Sequence, residues 1–257
     1  MEPIDASVTR RRRAAALAGH RGEVGRARAA LSDTSASVRA TALGALSRLG
    51  ALDGDDLRAA LVDPAPAVRR RGCELAGAWP GMEIGMEIAA ALEDDDPSVM
   101  EMAAWSLGEQ RRHSAVPALS ALASAGTGHA DPLCREAAVA ALGAIGDPSG
   151  LPAVLAALDD KPAVRRRAAV ALAAFTGPSV EAALRRCLDD RDWQVRQVAE
   201  DLLSDDGAGF PVGTDFRNTT SFGLQLVNTL VDQLDGEAEL TTDRGTTFLV
   251  RFPRTKQ

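Results

Sequence analysis

Small apolar residues recur along this chain at a spacing too long for one helix and too regular for chance. Val8, Val38, Val68, Val99, Cys134, Val164 and Val195 follow one another at steps of 30, 30, 31, 35, 30 and 31 residues. Four residues past the anchor stands a second small residue: Ala42, Gly72, Ala103, Ala138, Ala168 and Ala199. Eight past it stands a leucine: Leu46, Leu107, Leu142, Leu172 and Leu203. At about 100° per residue these offsets fall on one narrow helical stripe. The small middle member predicts that a neighbouring helix approaches closely, to about 8 Å.

Polar residues punctuate the same period. Leu31, Leu61, Leu92, Leu158 and Leu188 are each followed two residues later by Asp33, Asp63, Asp94, Asp160 and Asp190. The Leu closes one helix, and an Asp or Ser in the turn can cap the next. Directly after the anchor come Arg39, Arg69, Arg135, Arg165 and Arg196, placed to reach the Asp of their own turn or of an adjacent one. Glycines at 50, 146 and 177 read as helix stops. The 35-residue step, around 126–132, reads as a loop insertion. Each unit is thus two short antiparallel helices, A then B, with B starting near the anchor. Neither can bury its stripe alone, so the units must stack.

These columns, L-x-D-x(4)-V-R-x-x-A-x-x-x-L, resemble the HEAT-repeat family, in particular the short bacterial HEAT-like repeats also found in phycobilin lyases. The resemblance covers about residues 1–204. It implies an all-α fold, an α-solenoid of about seven helix pairs, whose usual role is to offer a binding surface. A phycobilin-lyase-like role is a further alternative. Arg12 in the small position of the first unit departs from the pattern and reads as a polar terminal repeat.

Composition breaks near residue 204. Ala occurs 47 times before that point and twice after it. We place the domain boundary there, giving a repeat domain at 1–204 and a second part at 205–257. The second part predicts a helix ending at Leu234-Asp235-Gly236 and a small α/β tail. Its two strands, at 237–241 and 246–252, alternate in polarity like a half-buried hairpin.

Asp205-x-Gly207-x-Gly209 and Gly223-Leu224-Gln225-Leu226-Val227 resemble the two glycine boxes of the sensor histidine kinase ATP-binding domain. The resemblance implies adenine contact at Asp205, and phosphate contact by the backbone at Gly223, Leu224 and the helix that follows. The family's Mg²⁺-binding Asn lies upstream of the first box, where this chain has residues 193–203 and no E-x-x-x-N. A pocket without its metal ligand and one wall is expected neither to hold nor to cleave ATP well. The tail is therefore expected to be a capping remnant or to complete a site on a partner kinase. No cofactor is expected, ATP and Mg²⁺ standing only as what the resemblance implies.

Charge narrows the partners. Residues 1–50 hold nine Arg against four acids, and residues 51–257 hold 20 bases against 32 acids, for a net charge of -7. Nucleic acid is not the expected partner, because phosphate binding needs a continuous basic face. The start of the chain lacks a signal pattern, and no apolar run approaches the roughly 20 residues of a membrane span. A cytoplasmic protein is expected.

Candidate chemistry is sparse. Cys73, Cys134 and Cys187 form no C-x-x-C pair and read as buried free thiols. His20, His113 and His129 are scattered and without His-Glu pairs. Trp79, Trp105 and Trp193 read as filling space between helices. Arginine runs at 10–13, 69–71 and 165–167 start helix B in units one, three and six, while Glu101 and Glu136 interrupt the row. If helix B lines the concave face, Arg10, Arg11, Arg69, Arg70, Glu101, Glu136 and Arg166 are the candidate contacts of a protein partner. The reading is a non-catalytic scaffold that binds through its helix-B face.

Overall fold

The computed structural model describes residues 6–79 and 84–204, and beyond them 217, 228–229, 231–232, 236–241 and 247–251. The described chain is helical up to Ser204. The helices are α1 (Ala6–Arg21), α2 (Val24–Ala29), α3 (Ala36–Arg48), α4 (Gly54–Leu61), α5 (Pro66–Gly77), α6 (Gly85–Ala90) and α7 (Pro97–Glu109). They continue as α8 (Val116–Ala123), α9 (Pro132–Ile145), α10 (Leu151–Ala157), α11 (Pro162–Ala171), α12 (Pro178–Cys187) and α13 (Trp193–Ser204). The chain divides into two compact units, Met1–Ala199 and Glu200–Gln257.

In the first unit the odd-numbered helices are the B helices, and each repeat anchor is the third residue of one. Consecutive B helices pack side by side from α1 to α11. The A helices α2, α4, α6, α8 and α10 each pack on the B helix that follows. The sequence explains the boundaries. Proline opens α5, α7, α9 and α11, where its missing N–H costs nothing. Gly146 ends α9 at φ 69°, a left-handed conformation open to glycine at little cost. Gly177 instead precedes α12 as its N-cap, so it starts a helix rather than stopping one.

The apolar stripe is the core. Anchors Val38 through Val195 are at most 2% exposed, and Ala42, Ala103, Ala138, Ala168 and Ala199 are fully buried. Leu46, Leu107, Leu142 and Leu172 lie beneath them. In α1, Val8 is only half-buried and Arg12 is exposed, as an end repeat requires. The close approaches divide between two columns. A Cβ on Gly72 would sit 3.1 Å from Ala60 in its own A helix. Nine residues past the anchor, a Cβ on Gly108 would sit 3.0 Å from the Ala141 Cα, and one on Gly143 2.7 Å from the Ala171 Cβ. The first column therefore serves packing within a unit, and the second lets B helix lie on B helix.

The Asp and Arg columns meet as a ladder along one edge. Arg39 donates twice to Asp63, Arg69 to Asp94, Arg135 to Asp160 and Arg165 to Asp190, at 2.6–3.0 Å. The Asp gripped is always that of the next unit. The third arm of each guanidinium reaches back to a carbonyl of its own turn, at Asp33, Asp63, His129 and Asp160. One planar cation thus ties two consecutive turns, which a lysine could not do. The capping expected of an Asp in the turn is met, though by a different residue from the column Asp. The column Asp accepts the amide two residues on, as from Ala65 and Asp96, and so folds the turn. Capping falls to other residues: Asp53, Asp96, Asp131 and Asp192.

One rung is missing. Met100 holds the Arg place in α7, and Ser124 follows Leu122 where the Asp would stand. The longer loop before α9 is held instead by Gly128 N–H to Ser124 O at 2.8 Å. This is the insertion that the 35-residue step announced.

Beyond α13, β1 (Glu237–Thr241) pairs antiparallel with β2 (Thr247–Arg251), Glu239 facing Leu249. The expected hairpin is present. Asn228, Thr229, Val231 and Asp232 are helical, and the Gly236 amide closes on Val231 O at 2.8 Å, where the helix was expected to end. The glycine-box residues Asp205, Gly207, Gly209, Gly223 and Leu224 lie outside the described residues.

Candidate functional site

The ladder sorts the candidate residues. Arg69 is turned onto the turn edge, where Asp94 and the Asp63 carbonyl take up its donors. Three of its five N–H donors are taken there and its side chain is 16% exposed, which corrects its place among the face residues. Arg11 is likewise held, by Asp33 at 2.8 Å, and Arg166 by Asp192 at 2.8 Å. Arg10 is exposed on α1 beside Arg11, far along the chain from the other candidates. The ladder carboxyls of Asp33, Asp94, Asp160 and Asp190 are pulled below the usual range, first by the guanidinium each accepts. Burial pushes the Asp63 carboxyl upward, but Arg39 and the Ala65 amide outweigh it.

Three candidates do meet. Arg70, Glu101 and Glu136 line one groove of about 700 Å³ across α5, α7 and α9. Its floor is aliphatic, with Ala137, Ala140 and Ala144 of α9. Glu74 and Glu109 add two carboxylates, and Arg167 closes the far side. Two of these acids are already paired, Glu74 with Arg71 at 2.6 Å and Glu136 with Arg167 at 3.2 Å.

Two large apolar residues of the groove are exposed. Trp105 is 42% exposed and Leu133 is 57% exposed. The expectation that Trp105 fills space between helices is only half met. Its ring edge lies against α5, where a Cβ on Gly77 would come within 2.6 Å of it. Its remaining surface is open, and the missing side chain of Gly77 is what leaves room for the ring edge on that helix. Trp193, 65% exposed, departs from the expectation further. Ring type alone carried no sign of this, but the glycine nine places past the anchor in α5 did.

Burial pushes the Cys73 thiol up to about 12 and Cys134 up to about 11, so neither supplies a thiolate near neutrality. All three cysteines are buried and free. His113 Nδ1 lies 2.7 Å from Asp147 Oδ2, whose carboxyl is lowered to about 2 by the Ser149 hydroxyl first and then by His113. His129 Nδ1 accepts the Asp131 amide. Among the described residues no three His, Cys, Asp or Glu side chains are grouped to hold a metal ion. No described helix is long and apolar enough to cross a membrane.

A family profile for HEAT repeats matches residues 54–128 and 122–204, most of the solenoid. The chain belongs to the HEAT-repeat family. No curated protein sequence matches it. Among solved structures, the complex of CpcE and CpcF of phycocyanin lyase from Nostoc sp. PCC7120 is 26% identical, over 82% of this chain and 88% of that one, with a TM-score of 0.53. YibA of E. coli is 19% identical, over 79% and 76%, with a TM-score of 0.53. A designed armadillo repeat protein is 17% identical, over 71% and 98%, with a TM-score of 0.51. The α-solenoid of HEAT-like helix pairs expected from the repeat columns is thus the fold, and it is similar to armadillo-like solenoids as well.

Proposed function

We propose that this HEAT-repeat chain is a non-catalytic adaptor, cytoplasmic, that binds another protein across the groove formed by α5, α7 and α9. One observation carries the reading. A large aromatic and a leucine are both exposed in one groove, with Arg70, Glu101 and Glu109 making no ion pair among the described residues, in a solenoid whose other large apolar residues are mostly buried. Exposed apolar surface rimmed by charge is the usual mark of a protein interface. The likeness to phycocyanin lyase, a complex of two chains, supports a protein partner.

The test is comparative capture from a native extract, with the wild-type chain and with Leu133→Asp. A partner held by the first and released by the second, and then rebound as a purified protein with the same preference, supports the reading. Identical captured sets overturn it.

A bilin-handling role rests on the phycocyanin lyase likeness alone, and absorbance on titration with a free bilin tests it. Nucleotide binding by 205–257 rests on the glycine-box resemblance alone. Calorimetric titration with Mg-ATP tests it, with loss of heat in Asp205→Ala as the expected sign.

A further inference from the structure

The groove has an electrostatic design beyond its apolar floor. Glu101, Trp105 and Glu109 are spaced four apart on α7, so they lie in one row along its exposed side. Trp105 therefore has a glutamate about 6 Å of rise before it along the helix and another the same distance after it. All three are exposed, and all three line the groove. Neither Glu101 nor Glu109 makes an ion pair among the described residues, in contrast to Glu74 and Glu136. Arg70 on α5 and Arg167 on α11 line the groove from the B helices on either side of α7 and α9.

An indole face attracts cations through its quadrupole, and two flanking carboxylates deepen that potential. The same row repels an acid. We propose that the groove selects a basic polypeptide segment, one arginine or lysine of which lies over Trp105 between Glu101 and Glu109. An apolar side chain of the segment then covers Leu133. The net charge of -12 over residues 51–257 draws such a segment in from a distance. This inference rests on the adaptor reading and gives the partner its chemical class.

The experiment is fluorescence anisotropy with two labelled peptides, one alternating arginine and leucine, the other glutamate and leucine. The basic peptide is expected to bind, and to bind more tightly as salt falls. Trp105→Ala and the double change Glu101→Gln/Glu109→Gln are each expected to weaken it about tenfold. The glutamine variant guards against misfolding, since both side chains are exposed and keep their shape. Glu93→Gln/Asp95→Asn removes the same charge from exposed positions beside α7 and is expected to change nothing.

Equal loss in that control overturns the proposal in favour of general attraction to an acidic chain. So does tighter binding of the acidic peptide, or binding indifferent to Trp105. A second copy as occupant, offering Arg10 and Arg13 of α1, also overturns it; the sign is self-association lost in the glutamine variant. If the basic peptide fails while Leu133→Asp still releases a captured partner, the chemical class falls and the adaptor reading stands. If neither responds, both fall.

Discussion

Arg69 and Arg70 are neighbours in sequence and belong to different parts of the molecule. The turn edge holds Arg69, with its donors shared between Asp94 and the Asp63 carbonyl. The B-helix face holds Arg70, exposed at the rim of the groove. The difference is one of angle: a step of one residue turns a side chain about 100° around the helix. At the edge, arginine recurs wherever two consecutive turns are tied in the same way. On the face nothing obliges the residue type to repeat, and Arg70, Glu101, Glu136 and Arg166 differ in sign at the same position of their units. A column that repeats with the period therefore speaks of construction, and a column that varies speaks of what the surface meets.

Acid gives the largest separation of the two regions, because it reaches every rung at once. The ladder carboxyls have folded pKa values below their unfolded ones, so the folded state binds protons less readily. Their contribution to stability is complete above the unfolded value of about 3.9 and is lost as pH falls through the lower, folded values. Thermal melts from pH 6 downward are expected to hold nearly level to about pH 4 and then fall steeply. A midpoint that drifts evenly across the whole range would mean that the ladder carries little of the stability.

A single rung comes next. Arg135 and Asp160 are the most enclosed pair, their side chains 8% and 4% exposed. Arg135→Ala leaves a buried carboxylate alone and is expected to cost about 3–5 kcal/mol by urea unfolding. Replacing both members, as Arg135→Met/Asp160→Leu, is expected to recover most of that loss, since no lone charge remains. A double variant as unstable as the single one would show that the third arm, to the His129 carbonyl, matters more than the ion pair.

The apolar stripe should respond on a similar scale. Leu107 is fully buried in α7, so Leu107→Ala is expected to cost about 2–5 kcal/mol, read from the same unfolding curves. A loss below about half a kcal/mol would set that step apart from the rest of the stripe.

How much of this could be read from the sequence follows the same division. Period, anchors and helix order were legible, because burial repeats whatever it repeats against: Val99 and Val164 occupy the same place in their units. The Arg and Asp columns were legible as columns but not as a connection. Whether Arg39 meets Asp33 or Asp63 depends on how the units are stacked, which no single unit encodes. The groove was legible only in part. Arg70, Glu101 and Glu136 stood out as charges on one face, but Trp105 did not, since its exposure depends on Gly77 in the helix beside it.

The smallest effect is the sharpest test of the contrast. Arg70→Ala is expected to shift stability by no more than about 0.5 kcal/mol, while Arg69→Ala, one residue away, unfolds the protein at visibly lower urea. The reason is geometric and does not depend on the partner. Arg70 is exposed, so its loss strands no buried charge and opens no cavity. The loss of Arg69 leaves Asp94, its side chain 8% exposed, without its cation. If the two variants melt together, the edge and the face are not distinct in energy, and the arginine columns would have to be explained by solubility alone.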